Sequence, residues 1–395
     1  MAKSTSYKTA FRFVLLLGVV SLFADMTYEA ARSISGPYLA LLGGTGVIVG
    51  VTAGLGELFG YGLRILSGLL SDKTRRYWAI TITGYAVNLL AVPALALANH
   101  WELAAGLMVI ERIGKAVRTP ARDTMLSHAT ATVGRGWGFA VHEAMDQIGA
   151  VIGPLIVMAV LAVNGSYRYA FAVLAIPAVL AMSVLVFARL TYPSPEKFET
   201  HAVSDKRTSL PSVFWLYLGS IAFVAAGFVD FPLIAFHVKS HSILEDRWIP
   251  LLYAGAMGID ALSALVFGRW YDKKGLAALM AAIAISSASA LLAFSFTAAV
   301  IVGGVLLWGI GMGAQESIIR AFVADIVPSQ RRGTGYGLFN AGYGVAWFVG
   351  SAVLGFLYDI SLPALIAVSV CLQLVSLPLL HQVRRRLAGQ ASATA

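Results

Sequence analysis

Cysteine occurs once in the chain, as Cys371, which excludes an intramolecular disulfide and a cysteine-held zinc centre. Charge is scarce too: Asp, Glu, Lys and Arg make up 12% of the 395 residues, against roughly 25% in an ordinary soluble domain. No polar stretch is long enough for a separate soluble domain. The sequences GxSxG, HExxH and GxxxxGK[ST] are missing, so hydrolysis and nucleotide-driven work have no motif to rest on and the chain does not read as an enzyme. Period-2 alternation over about ten residues does not recur, which argues against a membrane β-barrel. The first hydrophobic segment is too long for a signal peptide and has no small-residue cleavage site after it, so it is expected to be retained.

What is present is apolar. Hydrophobic residues make up 58% of the chain, and a spanning helix needs roughly 20 of them. Twelve such segments lie near 9–42, 46–71, 77–98, 101–120, 134–163, 167–190, 211–239, 248–270, 276–297, 299–323, 333–358 and 362–383. Only helices remain to satisfy the backbone in hydrocarbon. The fold class is therefore an all-α integral membrane protein with twelve transmembrane helices.

Basic residues cluster in alternate breaks: Lys73, Arg75 and Arg76; Arg118, Arg122 and Arg135; Lys197, Lys206 and Arg207; Arg269, Lys273 and Lys274; Arg331 and Arg332. The termini agree, with Lys3, Lys8 and Arg12 at one end and Arg384, Arg385 and Arg386 at the other, while the opposite loops hold Arg168, Lys239 and Arg247. Both termini are thus expected in the cytoplasm, with the protein in the plasma (inner) membrane. The net charge of +9 reads as a topology signal. Dispersed among short loops without a nucleic-acid motif, it gives no reason to expect a nucleic-acid partner.

The two halves repeat. GLLSDKTRR from Gly68 and GRWYDKKG from Gly268 each close an even-numbered span, with Asp72 and Asp272 200 residues apart. GRGWGFA from Gly134 is similar to RRGTGYGLF from Arg331, and the Gly149/Gly153 spacing is echoed by Ala346 and Gly350. Two pseudo-symmetric six-helix bundles follow, 1–190 and 211–395, joined by a cytoplasmic linker at 191–210. A carboxylate at a helix end can accept hydrogen bonds from the N-terminal amides of a neighbouring helix. Asp72 and Asp272, with Arg75, Arg76 and Lys273, are therefore candidates for a conformational latch; solvated loop charges are the alternative.

These residues resemble the major facilitator superfamily. Its loop signature is a Gly, three residues, an Asp and a basic turn, matched by Gly68, Asp72, Lys73, Arg75 and Arg76. Thr74 precedes Arg75 where the family often has Gly, and the second copy, Gly268 to Gly275, keeps that glycine. Gly149, Gly153 and Pro154 resemble the helix-5 motif of the family's antiporters. The resemblance implies alternating access and favours export. One feature departs: family exporters often carry an Arg on helix 4 twelve residues before a Pro, and counting back from Pro120 reaches Met108. The role of that arginine is therefore not carried over.

LFADMTYEAARSI, residues 22–34, places Asp25, Glu29 and Arg32 on one helical face. A charge at mid-bilayer costs at least about 2.5–3.5 kcal/mol on insertion scales, so this face is expected to point inward. At about 1.5 Å of rise per residue, Glu57 reaches a depth similar to Asp25. Arg64, Glu111, Arg112 and Lys115 add charge, as do His142, Glu143 and Asp146, of which His142 and Asp146 face one way. The second half offers only Asp230, Asp260, Glu316 and Arg320. Tyr61, Phe228, Asp230, Phe231, Phe236, Asn340, Tyr343 and Trp347 are expected to shape the wall of a substrate cavity.

The expectation is a secondary transporter moving a small solute, a proton-coupled exporter acting as a monomer in the lipid bilayer, with the proton gradient in place of a cofactor. Asp25 and Glu29 are the first candidates for coupling, Glu57 the next, and Arg32 and Arg64 charge partners or anion contacts. An organic cation, an organic anion or metal chelate, and a divalent metal held by Asp25, His142 and Asp146 are the substrate classes considered. From another class, a non-transporting receptor or scaffold would lock the midplane charges into ion pairs.

Overall fold

The computed structural model describes residues 2–194, 210–327 and 332–394. Lys197, Lys206, Arg207 and Arg331 lie outside the described residues. The apolar runs form helices α1 (Ala2–Leu41), α2 (Gly46–Thr74), α3 (Tyr77–Leu97), α4 (Trp101–Val133), α5 (Arg135–Asn164) and α6 (Tyr167–Thr191). They continue as α7 (Ser212–Ser240), α8 (Asp246–Lys274), α9 (Leu276–Ala293), α10 (Ala298–Ile326), α11 (Arg332–Ile360) and α12 (Leu362–Thr394). Eleven are long and apolar enough to cross a membrane. The other, α4, has the length but too many charges.

Two elements differ from the sequence reading. That reading ends α4 at Pro120, yet the helix runs on to Val133. Proline lacks the N–H that would bond the carbonyl four residues back, and that carbonyl, Ala116 O, instead accepts from Ser67 Oγ on α2 at 2.9 Å. Arg118 and Arg122 therefore lie within a helix rather than in a topology-setting loop, and Arg118 is only 1% exposed. Helix α7 reads as continuous but breaks into Ser212–Gly227 and Phe231–Ser240. Asp230 precedes the second piece and Pro232 sits in its first turn, a start signal that the hydropathy reading passes over.

A break in a membrane helix leaves carbonyls that water cannot reach, so protein must supply donors. Gly227 O accepts from Ser369 Oγ at 2.6 Å and Gln373 Nε2 at 3.1 Å, both on α12. Val229 O accepts from Trp308 Nε1 on α10 at 2.8 Å. The Asp230 carboxylate accepts from Trp347 Nε1 at 2.9 Å and from Ser351 Oγ, both on α11.

The described residues fall into two compact units. One lies within Met1–Gly43, Phe59–Ala202 and Asp246–Ala254, the other within Gly44–Leu58, Val203–Glu245 and Gly255–Ala395. In the second, α2 begins against α11 through Gly46, Gly50 and Gly54. A Cβ at Gly46 would sit 2.6 Å from Asp359 Oδ1, one at Gly50 2.9 Å from Gly355 Cα, and one at Gly54 3.1 Å from Phe348 Cα. Asp359 also caps α2, accepting from Gly46 N at 2.8 Å and Val47 N at 2.9 Å.

The repeat is visible in packing. A Cβ at Gly153 on α5 would collide with Met26 of α1, and one at Gly350 on α11 with Ala226 of α7, a partner 200 positions later. Arg75 and Gly275, also 200 apart, both have a positive φ, at 51° and 57°. Each closes its helix with an N–H to the carbonyl four residues back, Ser71 O at 2.8 Å and Tyr271 O at 2.7 Å. Arg75 itself, not Thr74, thus occupies the signature's glycine position.

Candidate functional site

Within the first unit the charges of α1 meet those of α4 and α5. Asp25 and Glu29, 6% and 7% exposed, lie one turn apart on α1. Arg112, Lys115, Arg118 and Arg122 recur on α4 at spacings of three, three and four, which makes one basic stripe. The helices approach closely because glycine lines the contacts. A Cβ at Gly84 of α3 would sit 2.9 Å from Arg118 Cα, and one at Gly114 of α4 2.7 Å from Asn88 Cα. On the other side of α1, a Cβ at Gly149 would meet Leu22 O and come within 3.0 Å of Asp25 Cβ. The helix-5 motif therefore presses directly on the turn that carries Asp25.

Lys115 Nζ lies 3.7 Å from Glu29 Oε1 and 3.9 Å from the centre of the Tyr28 ring. Glu29 Oε2 accepts from the hydroxyl of Tyr253, which stands in the first turns of α8. Arg32 adds its field to Glu29. Arg118 stacks over Tyr85 at 4.1 Å and reaches Tyr28 at 5.6 Å. Its Nε and Nη1 are buried with no hydrogen-bond partner among the described residues. Cation–π contact compensates part of the lost hydration, but three N–H groups, one on Nε and two on Nη1, stay open to an anion or water.

Ser21 joins the next layer. Its Oγ lies 3.0 Å from His142 Nε2, 3.1 Å from Arg122 Nη1 and 3.4 Å from the Tyr85 hydroxyl. His142 Nδ1 is 3.5 Å from Asp146 Oδ2, while Glu143 is exposed. Arg122 also pairs with Asp123 at 2.8 Å. Asp25 Oδ1 and Asp146 Oδ1 are buried without hydrogen-bond partners among the described residues, and the two carboxylates lie in each other's field. Open acceptors and open donors thus occur in one cluster.

The other expected residues are distributed differently. Glu111 and Arg112 contact each other at 3.4 Å, and Glu111 Oε1 accepts from Asn88 Nδ2 at 2.6 Å. Arg64 lies over the Tyr61 ring at 4.9 Å, and Glu57 is buried in the second unit. Phe228 and Trp347 are each 1% exposed. Their rings meet at 6.2 Å, and Tyr343 meets Trp347 at 5.3 Å, so they pack about the α7 break. Asn340 is half-buried and Phe231 and Phe236 are buried in the same unit; Asp260 is buried, whereas Glu316 and Arg320 are exposed.

The metal reading is not supported. Among the described residues no three His, Cys, Asp or Glu side chains come together to hold a metal ion, and Asp25, His142 and Asp146 do not form a ligand set. The latch contact is not made in this conformation: Asp72 and Asp272 are exposed, and among the described residues neither carboxylate accepts a hydrogen bond from a helix N-terminus. The signature glycines do pack alike, with a Cβ at Gly68 placed 3.7 Å from Pro120 and one at Gly268 3.8 Å from Ser317. Sequence reasoning misses Tyr28, Tyr85, Arg118, Arg122 and Tyr253 as members of the cluster. The basic stripe is visible in the spacing of ERIGKAVRTPAR, but Pro120 reads as the end of its helix.

Comparison with known proteins places the chain. It matches the profile of the Major Facilitator Superfamily over residues 14–351 and again over 238–393. It is 45% identical over 383 residues to the uncharacterized protein Rv2265 of Mycobacterium tuberculosis, an alignment spanning 95% of this chain and 94% of that one. It is 26% identical to the uncharacterized MFS-type transporter MJ1317 of Methanocaldococcus jannaschii, over 88% and 89% of the two chains. Its fold is similar to that of the nucleoside transporter NupG, with a TM-score of 0.72 at 14% identity, covering 94% of this chain and 98% of that one. Twelve long helices, a duplicated loop signature and a match along nearly the whole chain lead to one conclusion: the protein belongs to the major facilitator superfamily and is a secondary transporter, not an enzyme.

Proposed function

We propose that this transporter is a proton-coupled exporter in which Asp25 and Glu29 exchange protons against a small cationic solute. The observation that carries the reading is the Asp25 carboxylate, buried within a cluster of cations and with Oδ1 open to a ligand or a proton. A carboxylate in a low-dielectric site beside cations can be poised to change protonation near neutral pH. Proton and substrate would compete for it, with Lys115 and Tyr253 holding Glu29 between turns of the cycle. Export is favoured by the Gly149, Gly153 and Pro154 motif, which packs against Asp25. Two six-helix halves, 1–190 and 211–395, would alternate access around the 191–210 linker, with both termini in the cytoplasm and the protein acting as a monomer in the plasma membrane.

A second reading has its own observation. The open Nε and Nη1 edge of Arg118 fits an organic anion, because a planar guanidinium recognises carboxylate or phosphate geometry.

The test is transport in proteoliposomes carrying an internal pH dye, with organic cations and organic anions supplied in turn to the intact protein and to Asp25→Asn and Glu29→Gln. Proton movement evoked by cations and lost in either variant is the expected result. Substrate flux without proton movement, unchanged in both variants, would remove the coupling mechanism. Proton-linked flux of anions lost in Arg118→Gln would select the second reading.

A further inference from the structure

We propose that the end of the first unit where α2 turns into α3 and α6 ends binds the phosphate of an anionic phospholipid headgroup. A cavity of about 530 Å³ opens there, lined by Arg75, Arg76, Trp78, Arg189, Leu190 and Pro193. Three arginines border one space, and among the described residues none has a carboxylate in ion-pair range. Like charges gathered in one space repel one another, and a phosphate accepting paired N–H bonds relieves that repulsion.

The backbone supplies an independent argument. Arg75 holds φ 51°, where its counterpart Gly275 holds 57°. A left-handed backbone is costly for a residue with a Cβ, and such strain persists where the residue is put to use. The position after it differs in the same sense, Arg76 in the first half and Leu276 in the second. The second half closes its helix at the same place with Gly and Leu, so the arginine pair is particular to the first half.

The surroundings favour a lipid over a soluble anion. Leu190, which lines the cavity, is 76% exposed, and Phe187, one turn back on the same face of α6, is 57% exposed. Acyl chains attached to a headgroup in the cavity would lie along this strip. Trp78 is fixed by its Nε1–H to Tyr192 O at 3.0 Å and by an edge contact with Phe13, an amphipathic ring of the kind found at membrane interfaces.

The experiment uses the purified full chain in detergent. Retention of phosphatidylglycerol and phosphatidylcholine is measured by native mass spectrometry, with inorganic phosphate as competitor. Phosphatidylglycerol is expected to be preferred, with the preference falling about fivefold per arginine removed in Arg75→Gly/Arg76→Leu and in Arg189→Gln. The charge-matched control Lys273→Gln/Lys274→Gln should keep it. An equal loss in the control, or no loss in the arginine variants, would overturn the site. Displacement by inorganic phosphate at matched concentration would overturn the lipid assignment in favour of a soluble anion. Thermal unfolding in phosphatidylcholine alone verifies that each variant is folded.

Discussion

Trp347 on α11 donates its indole N–H to Asp230 at the break of α7, 117 residues away in sequence and 2.9 Å away in space. With Ser351 on the same carboxylate, α11 holds the second piece of α7 in place. Asp230→Ala would leave two buried donors without an acceptor, at about 1–3 kcal/mol each. Asp230→Asn, which retains one acceptor oxygen, should lose less. Thermal unfolding of both variants in detergent measures the difference, and equal stability of the two would show that Asp230 does not secure the break.

The Glu29–Tyr253 contact is suited to a double-mutant cycle. Tyr253→Phe and Glu29→Gln should each lower stability, and the double variant should lose less than their sum, with a coupling of about 0.5–3 kcal/mol as expected for groups in direct contact. Strict additivity would mean that the hydroxyl does not support Glu29.

Close packing of α5 on α1 predicts a graded series. Gly149→Ala and Gly153→Ala drive a methyl group into backbone carbonyls, and overpacking of this kind costs about 1–3 kcal/mol. Gly60→Ala and Gly62→Ala, where a Cβ meets nothing within 4 Å, serve as neutral controls. Transport should fall in the first pair and persist in the second.

Arg75→Gly should raise stability by about 1 kcal/mol in lipid-free detergent by relieving the left-handed strain. At the paired position, where Gly275 holds φ 57° and ψ −140°, Gly275→Arg should lower it by more, because that backbone is close to glycine-only. A loss of stability in Arg75→Gly would mean that the arginine contributes more to the fold than its backbone costs.

Asp359→Asn tests the cap of α2. Removing the negative charge beside Gly46 and Val47 should cost about 0.5–2 kcal/mol, read as a lower unfolding midpoint. Asp359 thus accepts from the amides at one end of α2, while Asp72 at the other end is exposed.

Much of the fold is readable from hydropathy, because lipid imposes length and apolarity on every span. The repeat is equally legible, since Gly68 and Gly268, and Asp72 and Asp272, keep one offset. What escapes is decided by partners distant in sequence. Ser67 lets α4 pass through Pro120, and Trp308, Ser369 and Gln373 let α7 stop at Gly227; neither outcome follows from local propensity. In the charge cluster, Asp25, Glu29, His142 and Asp146 are found from helical spacing. Arg118 reads as a loop charge because Pro120 reads as a helix end, and Tyr253 cannot be found because nothing in its neighbourhood signals a carboxylate on α1.

The glycines along the start of α2 carry a consequence for how this sequence can vary. Where Gly50 and Gly54 lie against the α11 backbone and Gly46 against Tyr358 and Asp359, bulk is what is counted. A saturation scan of α2 should therefore show intolerance with a period of four, each forbidden site rejecting alanine nearly as firmly as leucine. The half-buried positions between them, such as Val47, Ile48 and Val51, should accept other apolar residues more readily. Drift along such a helix is confined to its other faces, which leaves the seam as its slowest-changing part.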